Sequence, residues 1–301
     1  MHHLLTLDGL PRATVVGLLD RAQHFADTPG DFDALRGAAV CTLFFEPSTR
    51  TRMSFQLASQ RLGAHVLNFD VSTSSARKGE TALDTMRNLE AMGVRGFIVR
   101  HHDDGAVARL ADAARPETAL LNAGDGRSNH PTQGLLDMLT LRQAKGDDFS
   151  RMRIAIVGDV KHSRVARSDL HALRALGTGD IRVCGPASLL PDDGTLADCN
   201  VTHDVDEALD GVDAVMTLRL QRERMEDGLV DSLEDYHRHY GITAERLRRA
   251  APDAVVMHPG PINRGVEITD EVADGPRSLI LRQVANGVAV RMAVLERLLG
   301  R

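Results

Sequence analysis

Several short segments of this chain gather residue types suited to holding anions. Glu46-Pro47-Ser48-Thr49-Arg50-Thr51-Arg52 combines hydroxyls with a pair of arginines. Between a strand and a helix, such a run adds guanidinium forks to the unpaired N–H groups of the first helical turn, which suits phosphate. The same residues also read as a capped helix start with exposed arginines. Ser72-Thr73-Ser74-Ser75-Ala76-Arg77-Lys78-Gly79-Glu80 is a polar loop in which Lys78 offers a point charge for phosphate or carboxylate. Arg100-His101-His102 follows an apolar run. In His130-Pro131-Thr132-Gln133, His130 suits donation to an oxygen and Gln133 pairing with an amide. Arg164 closes the turn Gly158–Arg164 and can hold a carboxylate, and Arg219-Leu220-Gln221-Arg222 puts Arg219 and Gln221 in alternation. His258-Pro259-Gly260-Pro261-Ile262-Asn263-Arg264 makes a rigid turn with exposed carbonyls. Taken singly, each of these also reads as capping or surface polarity.

Strands alternating with helices must position these segments. Apolar runs at 40–45, 65–71, 97–99 and 119–121 read as strands, separated by helical stretches. Pro11 opens the first helix, with Val15, Leu18, Leu19, Ala22 and Phe25 on one face. A second helix runs from about Thr51 with Met53, Leu57, Ala58 and Leu62 inward. A long helix at 131–144 leaves this half. The rhythm then restarts with strands at 154–157, 181–183, 212–216 and 254–257, a helix at 164–176 and a last helix at about 284–299 carrying Val288, Met292, Leu295 and Leu299. The pattern predicts an α/β protein of two domains, each a parallel sheet flanked by helices, with a boundary near 130–150. The charged segment 221–239 reads as a mobile loop at the site. Motifs at strand ends predict a cleft between the domains that takes one phosphorylated and one carboxylate substrate.

Composition narrows the alternatives. The chain has 301 residues, 43% apolar and 26% charged, with net charge −6. That excludes disorder and argues against nucleic-acid binding, as do 3% aromatics and the absence of Trp. No stretch approaches about 18 uninterrupted apolar residues, so no membrane span is expected. Met1–Leu5 has neither a basic nor a long apolar leader region, so no secretory signal is expected. Cys41, Cys184 and Cys199, without CxxC spacing, fit a reducing cytoplasm. Three of the 36 basic residues are lysines, and Lys78 and Lys161 both fall in motifs. The turn at 157–164 is neither GxGxxG nor GxxxxGK[ST], which removes the main support for a dinucleotide-binding dehydrogenase or a P-loop enzyme. The 13 histidines form no HExxH and no zinc-spaced Cys/His cluster, so no metal is expected.

From about Leu4 to Leu298 the sequence resembles catalytic chains of the aspartate carbamoyltransferase (aspartate transcarbamoylase) family, within the aspartate/ornithine carbamoyltransferase superfamily. Ser48–Arg52 resembles the carbamoyl-phosphate signature of that superfamily. Lys78-Gly79-Glu80, Arg219-x-Gln221 and His258-Pro259-x-Pro261 point to aspartate, and the Ser-Met-Gly loop and His-Cys-Leu-Pro segment typical of ornithine enzymes are absent. Gly260 stands where some members carry Leu, a change a backbone contact survives. The resemblance implies transfer of a carbamoyl group from carbamoyl phosphate to L-aspartate, the committed step toward pyrimidines, without cofactor or metal. It implies that Ser48, Thr49, Arg50 and Thr51 bind phosphate, and that Arg100 and His130, with Thr51, contact the carbamoyl oxygen. It assigns the carbamoyl amide to Gln133 and the Pro259-Gly260 backbone, and aspartate to Lys78, Arg164, Arg219 and Gln221. Ser74 and Lys78 would reach the site of a neighbouring subunit, which implies a cytoplasmic homotrimer. Residues 1–133, completed by a C-terminal helix at 284–301, would bind carbamoyl phosphate, and residues 134–283 aspartate. A zinc-binding regulatory chain, a dihydroorotase-like chain or no further partner are all compatible. The alternatives are a transcarbamoylase for ornithine or a related amine, and a non-catalytic homologue acting as an assembly partner.

Overall fold

The computed structural model describes residues 1–70, 79–220 and 232–300. The chain divides into two compact units, Met1–Leu139 with Val284–Arg301, and Thr140–Gln283. Along the first part run α1 (Arg12–Asp27), β1 (Ala39–Phe44), α2 (Thr49–Arg61), β2 (His65–Asp70), α3 (Ala82–Ala91), β3 (Gly96–His101), α4 (Ala106–Asp112), β4 (Ala119–Asp125) and α5 (Pro131–Lys145). Then come β5 (Arg153–Val157), α6 (Arg164–Leu176), β6 (Asp180–Cys184), β7 (Asn200–Thr202), α7 (Val205–Leu209), β8 (Ala214–Thr217), α8 (Leu233–Tyr240), α9 (Ala244–Leu247), β9 (Val255–Met257) and α10 (Asp270–Ala273). The helix α11 (Ile280–Leu299) closes the chain.

The first unit holds a parallel sheet in the order β2-β1-β3-β4. Both faces are covered, which is why its inner strands read as continuous apolar runs. On one face Cys41, Leu43, Phe97, Val99 and Leu120 pack with Met86 of α3 and with Val107 and Leu110 of α4. The α1 stripe is buried as its spacing predicts. The face of α2 differs from expectation: Met53 and Leu57 are 50% and 39% exposed, while Thr51, Phe55, Ala58 and Leu62 are buried. Phe55 is the largest apolar group on this helix and takes the core position. Small Thr51, Ala58 and Ser59 beside it allow close packing, and that rotation turns Met53 and Leu57 outward.

The second unit holds a parallel sheet in the order β7-β6-β5-β8-β9. Ala155, Val157, Val215 and Val256 share a core with residues of α7, α9 and α10. The short strand β7 carries exposed Val201 and escaped the apolar-run reading. Gly158 follows β5 at φ +131°, and a Cβ there would stand 3.1 Å from both Leu218 and the Tyr236 hydroxyl. A side chain would therefore be strained and crowded where the chain turns toward α6. The last helix starts at Ile280 rather than near Val284, which is 45% exposed.

Candidate functional site

In a parallel α/β sheet, ligands bind outside the carboxyl ends of the strands where the order of connection reverses. The first sheet reverses between β1 and β3, and the second between β5 and β8. Segment 46–52 and Arg100 flank the first reversal. Segment 158–164 and Arg219 flank the second.

In the first unit, Ser48 is the N-cap of α2 but makes no side-chain cap hydrogen bond, so its hydroxyl is not spent on the helix. Thr49 and Arg50 are exposed, and Thr51 is buried. Ser54 instead donates to the carbonyls of Arg50 and Thr51, at 2.6 and 3.0 Å, bracing the first turn from within. Arg100 pairs with β1 through Phe44 and sits where the β3–β4 register shifts between Val99 and His101. Such irregularities re-aim a side chain. Its guanidinium lies 3.4 Å from the Glu46 carboxylate and donates to the Ala123 carbonyl at 3.3 Å, which ties the ends of three strands together.

Pro131 opens α5 at the first helical position, where its missing N–H costs nothing. Buried His130 precedes it, and its carbonyl accepts from the Gln133 N–H at 2.8 Å. The side-chain amide of Gln133 donates to both oxygens of buried Asp137, at 3.0 and 3.1 Å. Asp137 in turn acts on the buried Arg291 guanidinium of α11, which also feels Arg50. Arg50, Gln133, Asp137 and Arg291 are thus one electrostatic neighbourhood.

In the second unit, Arg164 opens α6 and is buried, with Ser163 capping that helix by accepting from the Ala166 N–H at 3.1 Å. Before it, Asp159 accepts from the His162 N–H at 3.2 Å and lies 2.8 Å from His162 Nδ1, which fixes the turn. Arg219 is half-buried just beyond β8. The turn after β9 is pinned at both ends. His258 Nδ1 accepts from the Gly260 N–H at 2.7 Å, so its Nε2 carries the proton and faces Glu267 at 3.2 Å. Glu267 also accepts from the Asn263 N–H at 2.6 Å. Gly260 holds φ +60°, which suits glycine.

Ser74, Lys78 and Gln221 lie outside the described residues, as does 221–231 of the expected mobile loop. Its remainder is a correction: residues 233–240 form α8, capped by Ser232 accepting from the Asp235 N–H, and bury Tyr236. The charges that suggest a loop match the helix dipole instead, acidic Glu234 and Asp235 first and His237, Arg238 and His239 last. Asp137, Glu267 and Arg291 escaped the motif reading, and Glu46 stood in a motif without a role of its own. Only the Gln133/Asp137 spacing of four signals its partner in the sequence.

Among the described residues, His101, His102 and Asp103 bring possible metal-ligating atoms within 4.8 Å of one another. His101 Nδ1 already accepts from the Asp103 N–H at 3.0 Å, and burial lowers the His101 pKa, so the group reads as a braced turn. Among the described residues no helix is long and apolar enough to cross a membrane.

Two family models match the chain. The aspartate/ornithine carbamoyltransferase carbamoyl-P binding domain matches residues 2–143, and the Asp/Orn binding domain matches residues 150–298. The chain is 74% identical over 305 aligned residues to the aspartate carbamoyltransferase catalytic subunit of Stenotrophomonas maltophilia (strain K279a), covering 100% of this chain and 96% of the relative. It is 73% identical over 304 residues to the subunit of the same name from Xanthomonas campestris pv. campestris (strain B100), with the same coverage. The fold superposes on aspartate transcarbamoylase of Trypanosoma cruzi in complex with carbamoyl phosphate and aspartate, with TM-score 0.87, 33% identity and 99% and 97% of the two chains covered. Ornithine carbamoyltransferase from Thermus thermophilus gives TM-score 0.88 and 30% identity, covering 99% of each chain.

Proposed function

The chain belongs to the aspartate/ornithine carbamoyltransferase family, and from that premise we propose that it transfers the carbamoyl group of carbamoyl phosphate to the amine of L-aspartate. The products are N-carbamoyl-L-aspartate and phosphate, in de novo pyrimidine (UMP) biosynthesis. The observation that carries the phosphate half is the open N-terminus of α2 beside Arg100, with hydroxyls, backbone N–H groups and guanidinium at one strand reversal. The choice of aspartate over ornithine is supported by relatives at 73–74% identity over the whole chain that are named for aspartate.

In this reading residues 1–133 with 284–301 hold carbamoyl phosphate, and residues 134–283 hold aspartate. Ser48, Thr49, Arg50 and Thr51 take the phosphate. Arg100, His130 and Thr51 donate to the carbamoyl oxygen, and Gln133 and the Pro259-Gly260 backbone take the carbamoyl NH2. Arg164, Arg219, Gln221 and Lys78 take the aspartate carboxylates. The neutral amine attacks the carbamoyl carbon, a C–N bond forms, and the C–O bond to phosphate breaks. The bond's electron pair leaves with phosphate, which accepts the amine proton. Negative charge grows first on the carbonyl oxygen and then on phosphate, and donors already aimed there are worth about 10²–10³ in rate each. No covalent intermediate and no protein base is required.

The active unit is a cytoplasmic homotrimer in which Ser74 and Lys78 serve the neighbouring site. Exposed apolar Met53 and Leu57 on α2 and Leu67 on the edge strand β2 support self-association. Cys41, Cys184 and Cys199, all free thiols, support a reducing compartment.

Calorimetric titration with N-(phosphonacetyl)-L-aspartate tests the reading. It predicts one tight site per chain, lost in Arg50→Ala, weakened in Arg219→Ala, and far weaker for the ornithine counterpart of the ligand. Tight binding that survives both substitutions, or preference for the ornithine counterpart, overturns it.

A further inference from the structure

Resting on the reading that Gln133 meets the carbamoyl group, we infer that Asp137 is a positioning residue that fixes which end of the Gln133 amide faces substrate, and so makes the site select carbamoyl over acyl phosphates.

A side-chain amide has an oxygen that accepts and a nitrogen that donates, and a half-turn exchanges them. A carboxylate only accepts. Both Asp137 oxygens lie on the Gln133 nitrogen, at 3.0 and 3.1 Å, and the pair is buried, with Asp137 fully so. The nitrogen end is therefore claimed, and Oε1 is the end that remains to accept from a ligand. A charge-assisted bond of this kind favours one orientation by about ten- to a hundredfold. An acceptor there matches the NH2 of a carbamoyl group and has nothing to take from the CH3 of an acetyl group of the same shape.

The carboxylate can do this only if it stays ionised without solvent. Arg291 of α11 is near enough for its charge to favour that state, without a direct ion pair to Asp137. It is buried, with its guanidinium carbon 4.7 Å from the centroid of the Phe55 ring. Burial pulls Arg291 down to about 9 while Asp137 opposes that pull, so the guanidinium remains charged at neutral pH. An arginine inside the apolar side of the last helix thereby has a reason to be there. It completes a chain of interactions from α11 through Asp137 to Gln133, four residues back on α5.

A role confined to helix stability would weaken all ligands alike. The test is therefore a ratio: the KM for carbamoyl phosphate against the inhibition constant of acetyl phosphate, measured for wild type, Asp137→Asn, Gln133→Ala and the double variant. Asn offers both an oxygen and a nitrogen, so the bias on Gln133 is lost. Asp137→Asn is expected to raise the KM for carbamoyl phosphate about tenfold while inhibition by acetyl phosphate and by inorganic phosphate holds. In the Gln133→Ala background the same change is expected to do nothing to the ratio. Equal losses for both acyl phosphates, or the same loss in the Gln133→Ala background, overturn the inference. If Gln133→Ala shifts the ratio and Asp137→Asn does not, the inference falls and the reading of Gln133 stands. If Gln133→Ala leaves the ratio unchanged, both fall. Should Asp137→Asn fold poorly, Asp137→Glu retains the acceptor and is expected to retain the ratio, and its loss there counts against the inference.

Discussion

The two sheets each reverse their strand order once, yet the residues beside the two reversals are held by different means. In the first unit they sit on helix starts and strand ends. Ser54 braces the first turn of α2, Glu46 and Ala123 hold Arg100, and Asp137 holds Gln133. In the second unit Arg164 sits on a capped helix start, but Arg219 lies past the end of β8 on the connection that leads to Gln221. Regular elements fix a group to tenths of an ångström, whereas a connection lets position vary. The difference suits the proposed chemistry. Carbamoyl phosphate and Asp/Orn are what the two matching domain models are named for, so in the proposed reading side chains on regular elements meet the shared substrate, and Arg219, beyond the end of its strand, meets the one that distinguishes the members.

The largest way to break this contrast is Arg50→Ala. Activity is expected to fall about 10²–10³-fold, while stability, followed by urea unfolding, shifts by no more than about 0.5 kcal/mol because the side chain is exposed. Near wild-type kinetics would remove the phosphate assignment. Mixing Arg50→Ala with Lys78→Ala chains should then restore partial activity through hybrid trimers, and no recovery despite demonstrated subunit exchange would argue against shared sites.

Next in size, Arg219→Ala is expected to raise the KM for aspartate about 10–100-fold and to leave the KM for carbamoyl phosphate nearly as it was. Equal damage to both substrates would erase the division of labour between the units.

A smaller effect concerns the seat of α2. Phe55→Leu is expected to cost about 1 kcal/mol in stability, and Leu57→Ala, on the outer face, about 0.5 kcal/mol or less, both read from chemical denaturation of the chain. The reverse order would mean that the helix presents Leu57 to the core after all.

The smallest contrast is one the units should not show. Burial pushes Cys41 of the first unit and Cys184 of the second alike up to about 12, and Cys199 to about 11, from 9.0. All three are thiols at pH 8, and iodoacetamide should label native protein far more slowly than unfolded chain. The unfolded chain releases these protons first, so stability falls as pH rises from about 9 to 12. Fast native labelling confined to one unit would show that unit opening on its own.

Much of this was legible before any coordinates. The α1 stripe, the bounds of α6 and the strand-end placement of Arg50, Arg100 and Arg164 follow from local patterning. What stayed hidden depends on partners far along the chain. Asp137 is four residues from Gln133 and could have been read from helix spacing, but nothing local pairs it with Arg291. Arg291 looks like an interruption in an apolar helix until the charge of buried Asp137 nearby is known. The Met53/Leu57 face failed because counting apolar residues ignores size: one Phe with small polar neighbours outcompeted two longer side chains. The helix α8 was missed because its charges suggest a mobile loop, whereas they match the two ends of a helix.

The most direct measurement is an assay of the purified chain with carbamoyl phosphate, offering L-aspartate and L-ornithine in parallel and quantifying the ureido product. The account predicts product with aspartate and none above background with ornithine. Product with ornithine in place of aspartate would contradict it, leaving the phosphate cradle standing and overturning the roles given to Arg219 and Gln221.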